Sequence, residues 1–473
     1  MFNSAINKVK KINNLQNIND FLKNNKINFT FFKIGYNENQ LLNFYLKEMQ
    51  HTILEGSKDF LPDYHNYLTF LKKVYRHEFR KNGFRRITTP MLEKKDFLEK
   101  TKSFNKYILD NVDIEVRQKP YIGIMRAYIN ENFGEKIQPF YFYFMEAFLS
   151  YTENGPKEDL LIGTEIIGED DPILDAIQIY INFQTLNEIG LKNKFKIKIN
   201  STGIDKEKVK FKEELINFYD NKKNVLTEKS ISFLDTNPML ILKSRNEDEI
   251  ILNQNAPKLA QKFLKKDSKT HYQKFKEYLE ILNVPFEEDN TLVSGDENQT
   301  KSIWSFESDK GEIIAKGYRH NSIAKNIGEA KEIPATGFWA YTDKIINMLI
   351  ENDLKLKNKD EIDLFFVQLG DDAKKVVLPI SIEARKAGIN TVISLGTPSM
   401  KEQMLKAQKS NAKFVVMVGI MEARNGVFQV RNQQDGTQCE VKKNDLINYV
   451  IEKIGKENLD FYSPIDDLII KND

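Results

Sequence analysis

The chain has 473 residues, more than a single hydrophobic core organises, and its 41% hydrophobic and 29% charged content is that of a folded rather than a disordered protein. Seventy Lys and Arg against 68 Asp and Glu leave a net charge of only +2, which excludes a global basic field; any nucleic-acid surface has to be a local patch. A single cysteine, Cys439, excludes an intramolecular disulfide.

That cysteine count fits a reducing compartment, so a cytoplasmic or organellar-matrix protein is expected and a secreted one is not. The five histidines, His51, His65, His77, His271 and His320, show no metal-ligand spacing, and no metal site is expected. No run of about 18 apolar residues is present, so no membrane span is expected. The first 19 residues are free of acids and carry three lysines. An import segment would favour Arg and Ser, so a Lys/Asn-rich helix or tail is the preferred reading.

In chain order, residues 1–50 read as an extension of helix with a short strand, "INFTFFKIG". Tyr67, Leu68, Leu71, Val74, Tyr75 and Phe79 repeat at helical spacing and predict a helix over 64–82, stopped by Gly83. "FRRITTP" reads as a strand closed by Pro90, and "DIEVRQK" as another. Pro120 opens a helix over 120–132. "PFYFYFMEAFLSY" has no helical period and reads as a buried antiparallel strand, core rather than a base-stacking platform. "LLIGTEIIG" is its neighbour, followed by an amphipathic helix ending at Gly190 and an alternating, half-exposed strand, "KFKIKIN".

Residues 204–288 are Lys/Glu-rich and helical, an inserted module with solvated faces. "IWSFES", "EIIAKGY" and "TGFWAYTDKIINMLIEN" then read as strand, strand and strand-into-helix. A polar linker is expected at 351–361. Beyond it strands and helices alternate over 362–456 in the manner of a small α/β domain, with a hairpin and a final helix, before a tail at 457–473.

The order of these elements resembles the histidyl-tRNA synthetase family of class II aminoacyl-tRNA synthetases over about residues 53–456. "LEGSKDFLP" is similar to the family's opening segment, and "GFRRITTPMLE" to motif 1. "VRQKPYIGIMRAYI" is similar to Leu-Arg-Pro-Glu-Gly-Thr…Arg-Ala, with Arg117 and Arg126 on its two arginines. "IGTEIIGEDDPILDAIQIY", "NSTG", "LDTNPMLILKS" and "NAP" fall in the family's order. The resemblance implies an α+β fold: an antiparallel class II sheet core (51–350) flanked by helices, the helical insertion, and a C-terminal α/β anticodon-binding-like domain. It also implies a homodimer and tRNA as a partner.

The departures fall in the pocket. The family's motif 2 Arg, which clamps the α-phosphate of ATP, falls on Leu149, and its Glu on Tyr151. The catalytic Arg of Arg-Gly-Leu-Asp-Tyr-Tyr falls on Ser294, with Asp296 and Glu297 adding negative charge. Gly-Gly-Arg-Tyr-Asp falls on "KGYRHN", led by Lys316 and Gly317. The motif 3 Gly falls on Tyr341 and its Arg on Lys344. Amino-acid activation needs preorganised cations at the phosphates, one such donor being worth about 10²–10³ in rate, and Lys cannot replace a bidentate fork. A non-catalytic relative that binds tRNA, structured RNA or a partner complex is therefore expected, with no cofactor. The alternatives are a divergent but active ligase, using ATP and Mg with Arg319 and Lys316 as replacement cations, and a structural subunit of a larger assembly.

Residual pocket candidates are Arg117, Arg126, Glu165, Tyr318 and His320. Arg117 and Arg126 are expected to serve mainly as ion-pair partners, Arg126 with Glu131 or Glu146. Glu165 has to be paired or protonated. His320, in a Lys/Asn-rich turn, is expected at the surface. Lys401, Lys406, Lys409, Lys413, Arg424 and Arg431 are the candidate RNA-phosphate contacts.

Overall fold

The computed structural model describes residues 59–101, 113–117, 119–152, 155–293, 295–356, 361–394 and 399–459. The expected strand within 1–50, Ser294 and the tail beyond 459 lie outside these residues. The chain divides into two compact units, one ending at Leu354 and the other beginning at Lys355.

The first unit is built on an eight-stranded sheet, β1 Arg85–Arg86, β4 Phe140–Thr152, β5 Gly155–Ile167, β6 Phe195–Gly203, β7 Glu287–Glu288, β8 Thr300–Ser308, β9 Ile313–Arg319 and β10 Ala335–Tyr341. Its order is β1-β4-β5-β10-β9-β8-β6-β7. Only the two edge pairs, β1 with β4 and β6 with β7, are parallel. A separate ribbon pairs β2 Leu92–Lys94 with β3 Ile114–Val116. The predicted strand "FRRITTP" shrinks to Arg85–Arg86, which pair with Phe142 and Tyr143 on β4, and Ile87 adds a last N–H bond to the Tyr143 carbonyl.

The period of two along the central strands sorts side chains into two cores. Tyr143, Met145, Ile162, Ile166, Phe338 and Ala340 face one way, toward the helices Pro62–Lys81, Ile173–Leu186, Lys266–Ile281 and Thr342–Glu351. Phe142, Phe144, Phe148, Leu161, Ile167 and Trp339 face the other way, toward the helix Pro120–Asn130. The aromatic strand is core, as its pattern predicts.

The helix Pro62–Lys81 forms where the spacing predicts it. Leu68, Leu71, Tyr75 and Phe79 line its buried stripe, Pro62 sits at its first turn, and Arg80 and Lys81 face its C-terminal dipole. Gly83 follows at φ +83°, a conformation that favours glycine. The strand β6 alternates only over its first residues; from Ile199 to Gly203 every residue is buried, and the inserted helices Asp205–Asp220 and Leu259–Lys262 pack against the strand.

The inserted helices pack around Phe211, Leu215, Tyr219, Met239, Ile241 and Leu242. The module is not wholly separate. Its last helix, Lys266–Ile281, gives Tyr272, Phe275 and Leu279 to the main core.

The second unit has a five-stranded sheet in the order β12-β11-β13-β14-β15: β11 Leu364–Gln368, β12 Thr391–Ile393, β13 Phe414–Val418, β14 Val427–Asn432 and β15 Gln438–Lys442. The first three strands are parallel and the last two form the predicted hairpin. A short helix, Ile420–Asn425, was not legible; it is closed by Gly426 in the left-handed region. Among the described residues no helix is long and apolar enough to cross a membrane.

Candidate functional site

The site lies on the face of the main sheet that packs on the helix 120–130. Glu165 on β5, Gly337 on β10 and Tyr318 on β9 share one row of the ladder. A methyl group on Gly337 would stand 2.2 Å from the Glu165 carboxylate, so the bare backbone there is what lets the acid lie across the sheet. Glu165 is buried, and its Oε1 is 2.7 Å from Nε2 of His320. Burial raises the Glu165 pKa, and the neighbouring imidazole only partly opposes this.

His320 is 1% exposed, which corrects the expectation of a surface position. The turn after β9 folds inward, and the His320 backbone N–H donates to the Ala335 carbonyl of β10. Its ring stacks on Tyr121 with 4.3 Å between centroids and meets Tyr318 edge-on. Neither ring nitrogen of His320, nor Oε1 of Glu165, makes a well-directed hydrogen bond among the described residues, so the 2.7 Å approach is an ion-pair contact. Tyr121 and Tyr318 both donate to Oδ2 of Asp296, at 2.5 and 3.1 Å, and their phenols are pushed well up by burial. Burial works to raise Asp296, but Lys119, Tyr121 and Asn298 more than offset it and hold the carboxyl below its usual range. A protein imidazole, two phenols and a carboxylate thus fill the floor of the site.

The arginines are engaged by protein. Arg117, fully buried, donates Nε to the Pro90 carbonyl at 2.6 Å, and Nη2 to the Thr89 carbonyl and to Glu146, both at 2.9 Å. Its plane lies over the Phe148 ring, and Nη1 is left without a partner among the described residues. Arg126 pairs with Glu93 at 3.0 Å, not with Glu131 or Glu146. The correction comes from the ribbon β2–β3, which carries Glu93 to the helix; Glu146 is taken by Arg117.

Arg319, a candidate replacement cation, is also withdrawn. It is completely buried, bonds Asp175 at 2.8 Å and Asp170 at 3.2 Å, and donates to the Glu169 and Asp171 carbonyls. Asp175 further accepts from Ser302 and Thr336, and His271 stands 3.7 Å away. This is a structural network holding β8, β9 and β10 to the helix 173–186.

Leu149 is half-buried on β4 opposite Glu158, and Tyr151 is opposite Pro156. Lys344 donates to the Ile313 carbonyl at 2.8 Å. Tyr341 ends β10. Burial acts to raise its phenol, but the Lys316 ammonium beside it outweighs this and lowers the pKa. Two cations that sequence reasoning passed over, Lys119 and Lys243, are electrically linked to Lys316. The signal for Lys119 was present: it falls on the Glu of Leu-Arg-Pro-Glu-Gly-Thr, a charge reversal.

In the second unit Lys401, Lys406 and Lys409 lie exposed on the helix Met400–Lys409, and at 100° per residue they span an arc of about 140°. Lys413 is drawn away into ion pairs with Asp363 at 2.9 Å and Glu361 at 3.5 Å. Arg424, on the short helix, and Arg431, on β14, are exposed.

Comparison with known proteins places these features. Residues 363–453 match the model of the anticodon binding domain. A histidine–tRNA ligase of Halothermothrix orenii is 26% identical over 408 residues, covering 83% of this chain and 97% of that one. One of Bacillus cytotoxicus is 27% identical over 431 residues, covering 86% and 100%. The apo histidyl-tRNA synthetase of S. aureus superposes with a TM-score of 0.68 at 23% identity, covering 85% of this chain and all of that one, and the enzyme of Nostoc sp. with 0.58 at 18%, covering 86% and 100%. Along most of its length the chain is thus similar to histidyl-tRNA synthetases, shares their fold, and carries an anticodon binding domain at its C-terminal end.

Proposed function

We propose that this protein has lost amino-acid activation and works by binding a structured RNA, tRNA-like in shape, through its C-terminal unit. The observation that carries the first half is the state of the pocket: its own His320 lies against Glu165, and Arg117, Arg126 and Arg319 are each engaged by carboxylates and carbonyls of the protein. A pentavalent phosphorus needs free, preorganised cations at the developing charge. Guanidiniums held by buried acids do not supply them. The second half rests on the anticodon-binding-domain match and the exposed lysine arc on the helix 400–409.

The protein acts as a homodimer on this reading. Leu61, Met91, Leu92, Ile114 and Ile137 are exposed apolar side chains in and around the segment that resembles motif 1. Sedimentation equilibrium tests the dimer. Histidine-dependent ATP–pyrophosphate exchange tests the loss of activation, and RNA affinity measured across salt tests the binding role. The curated names of the relatives favour the second reading, an active ligase. Exchange above background decides for it.

A further inference from the structure

From Lys72 to Arg86 the chain carries seven Lys and Arg against one acid, Glu78, although its whole net charge is only +2. The helix 62–81 sorts these charges onto its solvent side. Leu68, Leu71, Tyr75, Glu78 and Phe79 are its buried positions. Lys72, Arg76 and Arg80 follow one another at i+4 away from that stripe, and Lys73, His77 and Lys81 form a second such row beside them. At 100° and 1.5 Å per residue the two rows cover an arc of about 180° and a length of about 14 Å. Lys73, Arg76, Arg80 and Lys81 are exposed, and Lys72 is half-buried.

The strand β1 extends this ridge. The turn after the helix is tied back by the Phe84 N–H, which donates to the Phe79 carbonyl at 2.9 Å, and the Phe84 ring packs on Phe79 with 6.0 Å between centroids. Arg86 lies two residues beyond Phe84 and pairs with Tyr143, whose ring belongs to the helix-side core, so Arg86 shares that face. Burial and the Arg86 charge together lower the Lys72 pKa. Arg85 pairs with Phe142 of the other core and is not part of the ridge. Among the described residues the one acid within ion-pair reach is Glu78, buried and 3.9 Å from both Lys81 and His77.

We infer that this ridge is a docking surface for the phosphate backbone of a double-stranded stem in a structured RNA, separate from the candidate contacts on the C-terminal unit. The guanidiniums of Arg76, Arg80 and Arg86 offer paired N–H donors that match phosphate oxygens. The Tyr75, Phe79 and Phe84 rings of the same stretch are all buried, so none of them stacks on an unpaired base. An anionic lipid surface is a poorer fit, because the apolar stripe that such a helix inserts is committed to the core. A twofold contact of the ridge with itself would bring like charges together, and the exposed apolar side chains Leu61, Met91 and Leu92 lie outside it. The inference rests on the reading that the protein binds RNA, and adds to it a contact on the first unit.

The test is filter binding of an RNA hairpin of arbitrary sequence to the full-length protein across salt. Lys73→Gln/Arg76→Gln/Arg80→Gln is expected to lower the slope of log affinity against log salt by about 2–3, and by the same amount for a hairpin of unrelated sequence. Arg86→Gln reads the same ridge from the strand and is expected to lower the slope by about 1. Arg76→Lys/Arg80→Lys keeps the charge and is expected to keep the slope. Gln is a good helix former, and an unchanged urea midpoint reports an intact fold. Lys274→Gln, exposed on the helix 266–281, is expected to change nothing. Unchanged slopes in the triple variant and in Arg86→Gln overturn the inference, and weakened binding by Lys401→Gln/Lys406→Gln/Lys409→Gln in the same assay leaves the C-terminal reading standing. No hairpin binding by the parent protein at low salt overturns both. Binding of the parent to phosphatidylserine vesicles that the triple variant loses, with RNA binding retained, assigns the ridge to a lipid surface and overturns the inference. A changed oligomeric state of the triple variant in sedimentation equilibrium assigns it to a subunit contact and overturns it as well.

Discussion

Nε2 of His320 lies 2.7 Å from Oε1 of Glu165, and neither side chain is more than 3% exposed. A carboxylate on β5 and an imidazole in the turn after β9 thus meet in the buried core, held by their charge attraction rather than by a well-directed hydrogen bond. Breaking such a pair by deleting one member leaves a buried group uncompensated. His320→Ala is expected to cost about 3 kcal/mol in urea-denaturation midpoint analysis. His320→Ala combined with Glu165→Leu is expected to recover most of that loss. Equal stability of the single variant and the parent protein would show the pair to be incidental.

The glycine beneath this pair makes a sharper demand. An added methyl at Gly337 meets the Glu165 carboxylate at 2.2 Å and the Thr164 carbonyl at 2.9 Å. Gly337→Ala is expected to destabilise by about 1–3 kcal/mol, the usual range for overpacking. Glu165→Ala in the same chain should return part of it, because one of the two clashes is gone. A double-mutant cycle reports the coupling.

Acid sensitivity should come from the other network. His271 is buried beside Asp175, Arg319, Lys301 and Asp170, and burial lowers its pKa to about 4 against 6.5. Between these values the unfolded chain binds a proton that the folded chain does not. Stability therefore rises with pH across the window and is lost as pH falls from about 6.5 toward 4. The loss attributable to His271 is about 2–3 kcal/mol. Denaturation curves at pH 7 and pH 5 should converge for His271→Gln, and an undiminished pH dependence in that variant would assign the effect elsewhere.

The RNA reading predicts a salt law. Log affinity should fall linearly with log salt, and Lys401→Gln/Lys406→Gln/Lys409→Gln should lower the slope by about 2–3. Lys413→Gln is expected to destabilise the second unit without changing the slope, because that lysine is already paired with Asp363. Filter binding between 50 and 300 mM salt, on the order of the usual range, distinguishes these outcomes from docking of a protein partner, which would be nearly flat.

What the sequence disclosed was the local part. The stripe from Leu68 to Phe79 and the aromatic run from Phe140 predict their elements because periodicity is set within one segment. The residue types Leu149 and Tyr341 are likewise read directly from the chain. Partners are not. Arg126 reaches Glu93 and Arg117 reaches Glu146 only after a ribbon and a sheet have brought distant segments together. His320 looked exposed because its neighbours in sequence are polar; its burial is decided by Tyr121, nearly two hundred positions earlier.

Histidine-dependent exchange of labelled pyrophosphate into ATP bears most directly on the proposed loss of activation. The purified protein is expected to show background exchange, and Leu149→Arg alone is expected not to restore it, because losses within one catalytic unit do not recover singly. Exchange that requires histidine and exceeds background would mean that the chain still forms an adenylate, and would contradict a pocket whose arginines Arg117, Arg126 and Arg319 are each engaged by the protein's own acids.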